Sequence, residues 1–234
     1  MIRRNRIALI AGVLACGAST AAGQQIRSPY RFIDTSQFGG VAGAQVLTAR
    51  GRLLTGPEDA PMALARWGMR ISGPFAVGAQ VGYMQSTRAV RDTVFVTPDS
   101  MYRELGEADF KLLTVLGNLR FNVTGGRTWN GLQPFALLGV GAAIDLAGTA
   151  VADTLVQPAD ARFDFGTSFA GQIGAGVEWF PAERFSARVD AHNVLWKLKV
   201  PEAFGRTERG RNLKFPSSEW EQNFVLSAGL SFHF

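Results

Sequence analysis

The chain has 234 residues, enough for one domain or at most two; 47% are hydrophobic and 18% charged, below the roughly 25% charged share of an ordinary soluble domain. Of the net charge of +5, three units come from Arg3, Arg4 and Arg6, so the chain without that stretch carries +2. No clustered basic face points to nucleic acid as a partner. The single cysteine, Cys16, sits in the same stretch, which leaves the remainder without a disulfide, a thiolate metal site or a cysteine nucleophile.

Residues 1–23 read as a secretory signal peptide. The three arginines form the positive region, Ile7 to Ala15 a short apolar run, and Ala18 to Gly23 a small-residue cleavage region with the cut expected after Ala22 or Gly23. Val13-Leu14-Ala15-Cys16 also looks like a lipobox, so lipidation of Cys16 is a competing reading. No later stretch reaches 18 apolar residues, which excludes spanning helices. A chain that crosses a membrane without them must do so as a closed barrel, because closure alone satisfies backbone polar groups in lipid.

From residue 38 onward eight segments alternate with a period of two. Segment 38–49 is Gly- and Ala-rich and alternates most weakly. Segment 60–72 sets Ala63, Ala65, Trp67, Met69 and Ile71 against Leu64, Arg66, Gly68 and Arg70, and Gly73-Pro74 then turns the chain. Segment 75–85 sets Phe75, Val77, Val81 and Tyr83 against Gly78, Gln80, Gly82 and Met84. Segment 109–123 sets Leu113, Val115, Leu119 and Phe121 against Thr114, Leu116, Asn118 and Arg120. Segment 133–146 follows a Gly- and Asn-rich turn at 124–131. Segment 167–180 places Phe169, Ile173, Val177 and Trp179 opposite Ser168, Gln172, Gly174 and Glu178. The seventh segment begins at Phe185 and puts Ser186, Arg188, Asp190 and His192 on the polar face. Its phase is expected to slip near Asn193, through a bulge or an extension beyond the bilayer that moves Val194, Trp196 and Leu198 to the apolar side. The eighth, 223–234, carries Phe224, Leu226, Leu230, Phe232 and Phe234 on one face and Asn223, Ser227, Gly229, Ser231 and His233 on the other.

Links after the second, fourth and sixth segments are short (73–74, 124–132, 181–184), and those after the first, third, fifth and seventh are longer (50–59, 86–108, 147–166, 199–222). Short turns on one rim and long loops on the other, with polar faces inward and apolar faces outward, define an all-β, antiparallel, up-and-down transmembrane barrel of eight strands over residues 24–234. Trp67, Tyr83, Trp129, Trp179, Phe180, Phe185, Phe232 and Phe234 are expected to anchor the membrane interfaces.

This pattern resembles the small eight-stranded bacterial outer-membrane barrels, the family of the barrel domain of outer-membrane protein A and of proteins X and W. The ending Ser227, Gly229, Phe232 and Phe234 resembles the C-terminal signal of such barrels. The resemblance implies a Gram-negative outer membrane, with its lipid and lipopolysaccharide around the barrel, its assembly machinery reading the last strand, and a monomer presenting loops to an unknown extracellular ligand.

The inward set Arg66, Arg70, Arg120, Glu178, Arg188, Asp190 and His192 is expected to pair internally, with Asp145 as a further acid, because charges against a low-dielectric wall are costly alone. Such a network plugs the lumen or, since arginines outnumber acids, lines a narrow anion-leaning pore. Some eight-stranded outer-membrane barrels act on lipid A with a Ser hydrolase pattern. Here His192 lacks a serine two residues on, and His233 has Ser231 in the reversed order. No hydrolase, zinc or nucleotide fingerprint appears, so no enzyme, cofactor or metal is expected.

Overall fold

The computed structural model describes residues 28–49, 55–92, 103–156, 159–205 and 216–234. The signal segment 1–23, Cys16 included, lies outside the described residues, as do 50–54, 93–102 and 206–215 of the long links. Among the described residues ten strands occur in chain order: β1 (Tyr30–Phe32), β2 (Gln37–Ala49), β3 (Ala60–Ser72), β4 (Phe75–Asp92), β5 (Arg103–Asn122), β6 (Arg127–Trp129), β7 (Leu132–Asp145), β8 (Thr167–Trp179), β9 (Phe185–Lys199) and β10 (Ser218–His233). The eight long ones pair antiparallel with their sequence neighbours, β5 with β7 across the short β6. β10 then pairs β2 from Gln222–Ala49 to His233–Phe38 and closes the ring. Closure leaves no strand edge among the eight.

The expected bounds hold at β3 and to within a residue or two at β2, β7 and β8. β4 and β5 run further than the 75–85 and 109–123 expected, because Gln85–Asp92 continues to pair with Arg103–Lys111. Glu107, Asp109 and Lys111 take the outward places there, so this hairpin rises above the apolar belt and its outer face turns polar. Two 3-10 turns, Ala152–Leu155 and Ala159–Ala161, occupy the link after β7, and a third, Glu202–Gly205, follows β9.

The outer wall is a belt of exposed apolar side chains, among them Val41, Val81, Leu138, Val140, Phe169, Ile173, Val189 and Leu230. Aromatic pairs mark its short-turn rim, with Phe75 against Phe121 at 5.5 Å and Phe185 against Phe232 at 5.4 Å between ring centroids. Seven of the eight expected anchor aromatics are exposed; Phe180 is not. It continues the inward phase of β8 and lies buried under the barrel, 4.9 Å from the His233 ring.

An additional feature has no counterpart in the sequence reading. β1 pairs β6 through Tyr30–Trp129, Arg31–Thr128 and Phe32–Arg127. β6 lies between β5 and β7, across the ring from β2, so residues 33–36 cross the short-turn mouth to reach β2. Arg70 holds this strap by donating from Nη1 to the Ile33 carbonyl at 2.8 Å, and its backbone N–H donates to the Ser36 carbonyl at 2.7 Å.

Candidate functional site

An eight-stranded ring encloses a space that side chains can fill, and here they fill it in two layers. The layer nearer the short turns is polar and is organised around two carboxylates. Asp190 on β9 receives Arg66 from β3 at 3.1 Å, the Arg188 Nε at 2.9 Å and the Ser227 hydroxyl at 2.8 Å, with His192 Nδ1 at 2.8 Å. Arg66 also donates to Ser227 Oγ at 2.8 Å and to Gln80 Oε1 at 3.0 Å. Glu178 on β8 receives Arg120 from β5 and the Ser186 hydroxyl, both at 2.5 Å. His233 Nε2 lies 3.2 Å from Glu178 Oε1 and 2.8 Å from Ser186 Oγ. Arg120 further donates to Asn122 Oδ1 at 2.7 Å and to Gln133 Oε1 at 3.2 Å. The Phe135 ring joins the two groups, with the Arg120 guanidinium 4.1 Å and the Arg188 guanidinium 4.3 Å from its centroid.

Small residues make this crowding possible. A Cβ on Gly176 would stand 2.5 Å from Asp190 Cβ and 2.7 Å from the Phe135 ring. A Cβ on Gly139 would stand 2.1 Å from Asn118 Oδ1. The inward glycines of β7 and β8 are thus places where the network and its aromatic partner occupy the side-chain volume.

The second layer, nearer the loops, is apolar. Val46, Met62, Leu64, Met84, Phe110, Leu112, Leu116, Ala170, Val194, Trp196, Leu198 and Val225 form one buried cluster. Phe165 comes down from the link after β7 and meets Phe110 edge-on at 5.3 Å, while Phe110 stacks on Trp196 at 6.2 Å. With the Asn223 amide oxygen turned toward it, the Trp196 indole N–H donates at 3.0 Å, so the largest buried side chain has its polar atom met. Above this layer a buried ion pair, Arg88 to Asp153 at 2.6 Å, ties the first 3-10 turn to β4. The Arg88 guanidinium stands 4.7 Å from the Phe165 centroid.

The structure departs from the sequence expectation at β9 and at Asp145. β9 does not slip: its register with β8 and with β10 runs unbroken through Asn193. Val194, Trp196 and Leu198 stay in phase with Asp190 and His192 and point into the lumen. They take the inward side because that side is dry at this height, while Lys197 and Lys199 take the outward side above the belt. Asp145 does not neutralise the arginines; it sits at the loop end of β7 and accepts the Ala147 N–H at 2.9 Å.

Of the seven residues expected in the lumen network, Arg66, Arg120, Glu178, Arg188, Asp190 and His192 come together in it, and Arg70 instead holds the strap. Ser186, His233, Asn122 and Gln133 also belong to the network; the alternation of their strands places them inward, although nothing in the sequence singles them out as partners of the two carboxylates. Arg88 and Asp153 lie in stretches that the sequence predicts as links. The alternation Met84, Ser86, Arg88, Val90 was the available signal for Arg88. Of the terminal motif, Ser227 and Gly229 point inward and Phe232 and Phe234 outward.

Ser186, His233 and Glu178 are the residue types of a hydrolase triad, but their geometry differs from one. A triad passes the serine proton to one imidazole nitrogen and anchors the other on the acid. Here a single nitrogen, Nε2, faces both the hydroxyl and the carboxylate, and the hydroxyl donates directly to Glu178. All three are nearly inaccessible, with exposures of 1%, 2% and 1%, and Phe38 and Phe180 pack on His233.

No protein-family model matches the chain, and no curated protein is significantly similar to it. Among solved structures it is similar to Neisserial surface protein A, with a TM-score of 0.50 at 15% identity over 85% of this chain and 97% of that one. It is also similar to the outer membrane protein OprG from Pseudomonas aeruginosa, with a TM-score of 0.54 at 14% identity over 86% of this chain and 96% of that one. At these identities the likeness is one of fold: the chain has the architecture of the small eight-stranded outer-membrane barrels.

Proposed function

We propose that the protein resides in the outer membrane as a closed, non-enzymatic barrel, a structural and interaction scaffold whose long links meet the outside. The observation that carries this reading is the filled lumen. The polar network and the Phe110–Trp196–Phe165 layer lie one above the other, and both are buried. A nucleophile needs a base within reach and a path for substrate; Ser186 and His233 are spent on Glu178, and Ser227 and His192 on Asp190. Loops on a rigid scaffold are where binding residues concentrate, and the Arg88–Asp153 staple shows one link built into the mouth.

The outer apolar belt supports lipid and lipopolysaccharide as the surroundings, and the absence of strand edges fits a monomer. The outward Phe232 and Phe234 on β10 support recognition of that strand by the barrel-assembly machinery.

Single-channel recording of the refolded full chain in a planar lipid bilayer tests the closed-barrel reading. The protein is expected to insert and stay silent. Replacing Phe110 and Trp196 together by alanine clears the apolar layer and is the change expected to bring conductance steps closest to appearing. Discrete, reproducible steps from the unaltered chain would replace this reading with a narrow channel for small solutes lined by Arg66, Arg120 and Arg188.

A further inference from the structure

Among the described residues the polar layer holds one more buried cation than it holds anions. Arg66, Arg120 and Arg188 enter it, and Glu178 and Asp190 are its carboxylates. Arg70 stands apart on the strap. His192 and His233 add no negative charge, and no other acid enters this layer among the described residues. A buried charge left without a counter-charge costs several kcal/mol, so such a site recruits one or rearranges.

The surplus can be localised. Asp190 spreads its two oxygens over Arg66, Ser227, His192 and Arg188. Arg188 reaches it only through Nε, so its two terminal nitrogens meet no acceptor among the described residues. Arg120 binds through Nε and Nη2, which leaves its Nη1 likewise. Beside these nitrogens lies a cavity of about 30 Å³ whose lining includes Arg66, Arg120, Arg188, Gln80 and Asn118 and no carboxylate. That is room for an occupant of atomic or water size. The Asn118 Oδ1 is buried and finds no donor. An amide in that position can turn its NH2 toward an anion without giving up a hydrogen bond. The Phe135 ring holds the Arg120 and Arg188 planes in place, so the donors converge without needing the occupant to order them.

We propose that this cavity is a buried halide-sized anion site: one monovalent inorganic anion, chloride in aqueous salt, held by the guanidiniums of Arg188, Arg120 and Arg66 and by the Asn118 amide. The anion completes the charge balance of the polar layer as a third carboxylate would. The full layer then contains three cations and three anions.

The test uses the unaltered full chain. Crystals grown from detergent with sodium bromide replacing sodium chloride are measured at the bromine absorption edge. One anomalous peak within hydrogen-bond reach of Arg188 is expected in the cavity. Density without anomalous signal there means a water and overturns the proposal. In solution, the thermal unfolding midpoint of the refolded chain is compared in sodium chloride and sodium gluconate at equal ionic strength, which holds screening constant. The midpoint is expected to rise saturably with chloride alone, as for any ligand of the folded state. The Arg188→Met variant is expected to fold and to lose that dependence. Equal chloride dependence in both proteins would assign the effect elsewhere and also overturn the proposal. Should Arg188→Met fail to fold, the bromide measurement on the unaltered chain decides.

Discussion

The two halves of the lumen share the same strands and the same inward phase, yet they are held together by opposite means. On β9 the inward residues run Ser186, Arg188, Asp190 and His192 and then Val194, Trp196 and Leu198. On β3 the inward run changes in the same direction, from Arg70 and Arg66 near the short turns to Leu64, Met62 and Ala60 near the loops. The polar half is a set of directional bonds, some along one strand, such as Arg188 to Asp190, and others across the ring, such as Arg66 to Asp190 and Arg120 to Glu178. The apolar half is held chiefly by packing volume, with the Trp196–Asn223 hydrogen bond as its polar exception. A wall of alternating residues permits either filling; the difference is whether the strands' inward groups must be paired or merely packed.

That contrast can be broken in three ways. The largest effect is expected from Asp190→Ala, which strands the Arg66 and Arg188 guanidiniums in the lumen; breaking a buried pair from one side costs about 3–5 kcal/mol. Urea unfolding of the refolded barrel, followed by its heat-dependent migration on gels, measures it, and a loss below about 1 kcal/mol would mean that water already solvates this half. Next comes Trp196→Ala, which opens a cavity in the apolar half at about 3–5 kcal/mol if the layer does not collapse, and less if it does.

The third change separates the two mechanisms with the smallest net effect. Arg120→Met and Glu178→Leu are each expected to destabilise strongly, while the double variant is expected to cost less than either alone, because neither charge of the pair is left buried without the other. In the apolar half the corresponding pair, Leu198→Ala with Trp196→Ala, is expected to be at least as costly as its worse member. A double-mutant cycle in each half reads the difference directly. Equal behaviour in both halves would mean that the polar network acts only as filler.

Much of the architecture was legible because a strand's alternation is local. The bounds of β3, the start of β8, the tight turn at Gly73, where φ is 54°, and the inward phase of Arg66, Arg120, Glu178, Arg188, Asp190 and His192 all follow from residues two apart. The rule that polar faces point inward then misled at one place. Val194, Trp196 and Leu198 looked like a change of phase, because an apolar inward side is unexpected in a membrane barrel. Lys197 and Lys199 on the opposite side were the sign that the strand had left the bilayer. Phe180 misled for the related reason that an aromatic near a strand end was read as an interfacial anchor without regard to its phase.

The sequence by itself determined the eight strands of the ring, the alternation of short and long links and which side chains share a face, since each depends only on neighbours along the chain. The tertiary structure decided which partners the shared faces meet. Closing the ring set Asp190 against Arg66, 124 residues earlier in the chain, and Ser186 against His233, 47 residues later. It brought β1 across the mouth to β6 and lowered Phe165 onto Trp196. Those contacts follow from the register around the whole barrel, which no single strand encodes, and they determine whether the lumen is a passage or a plug.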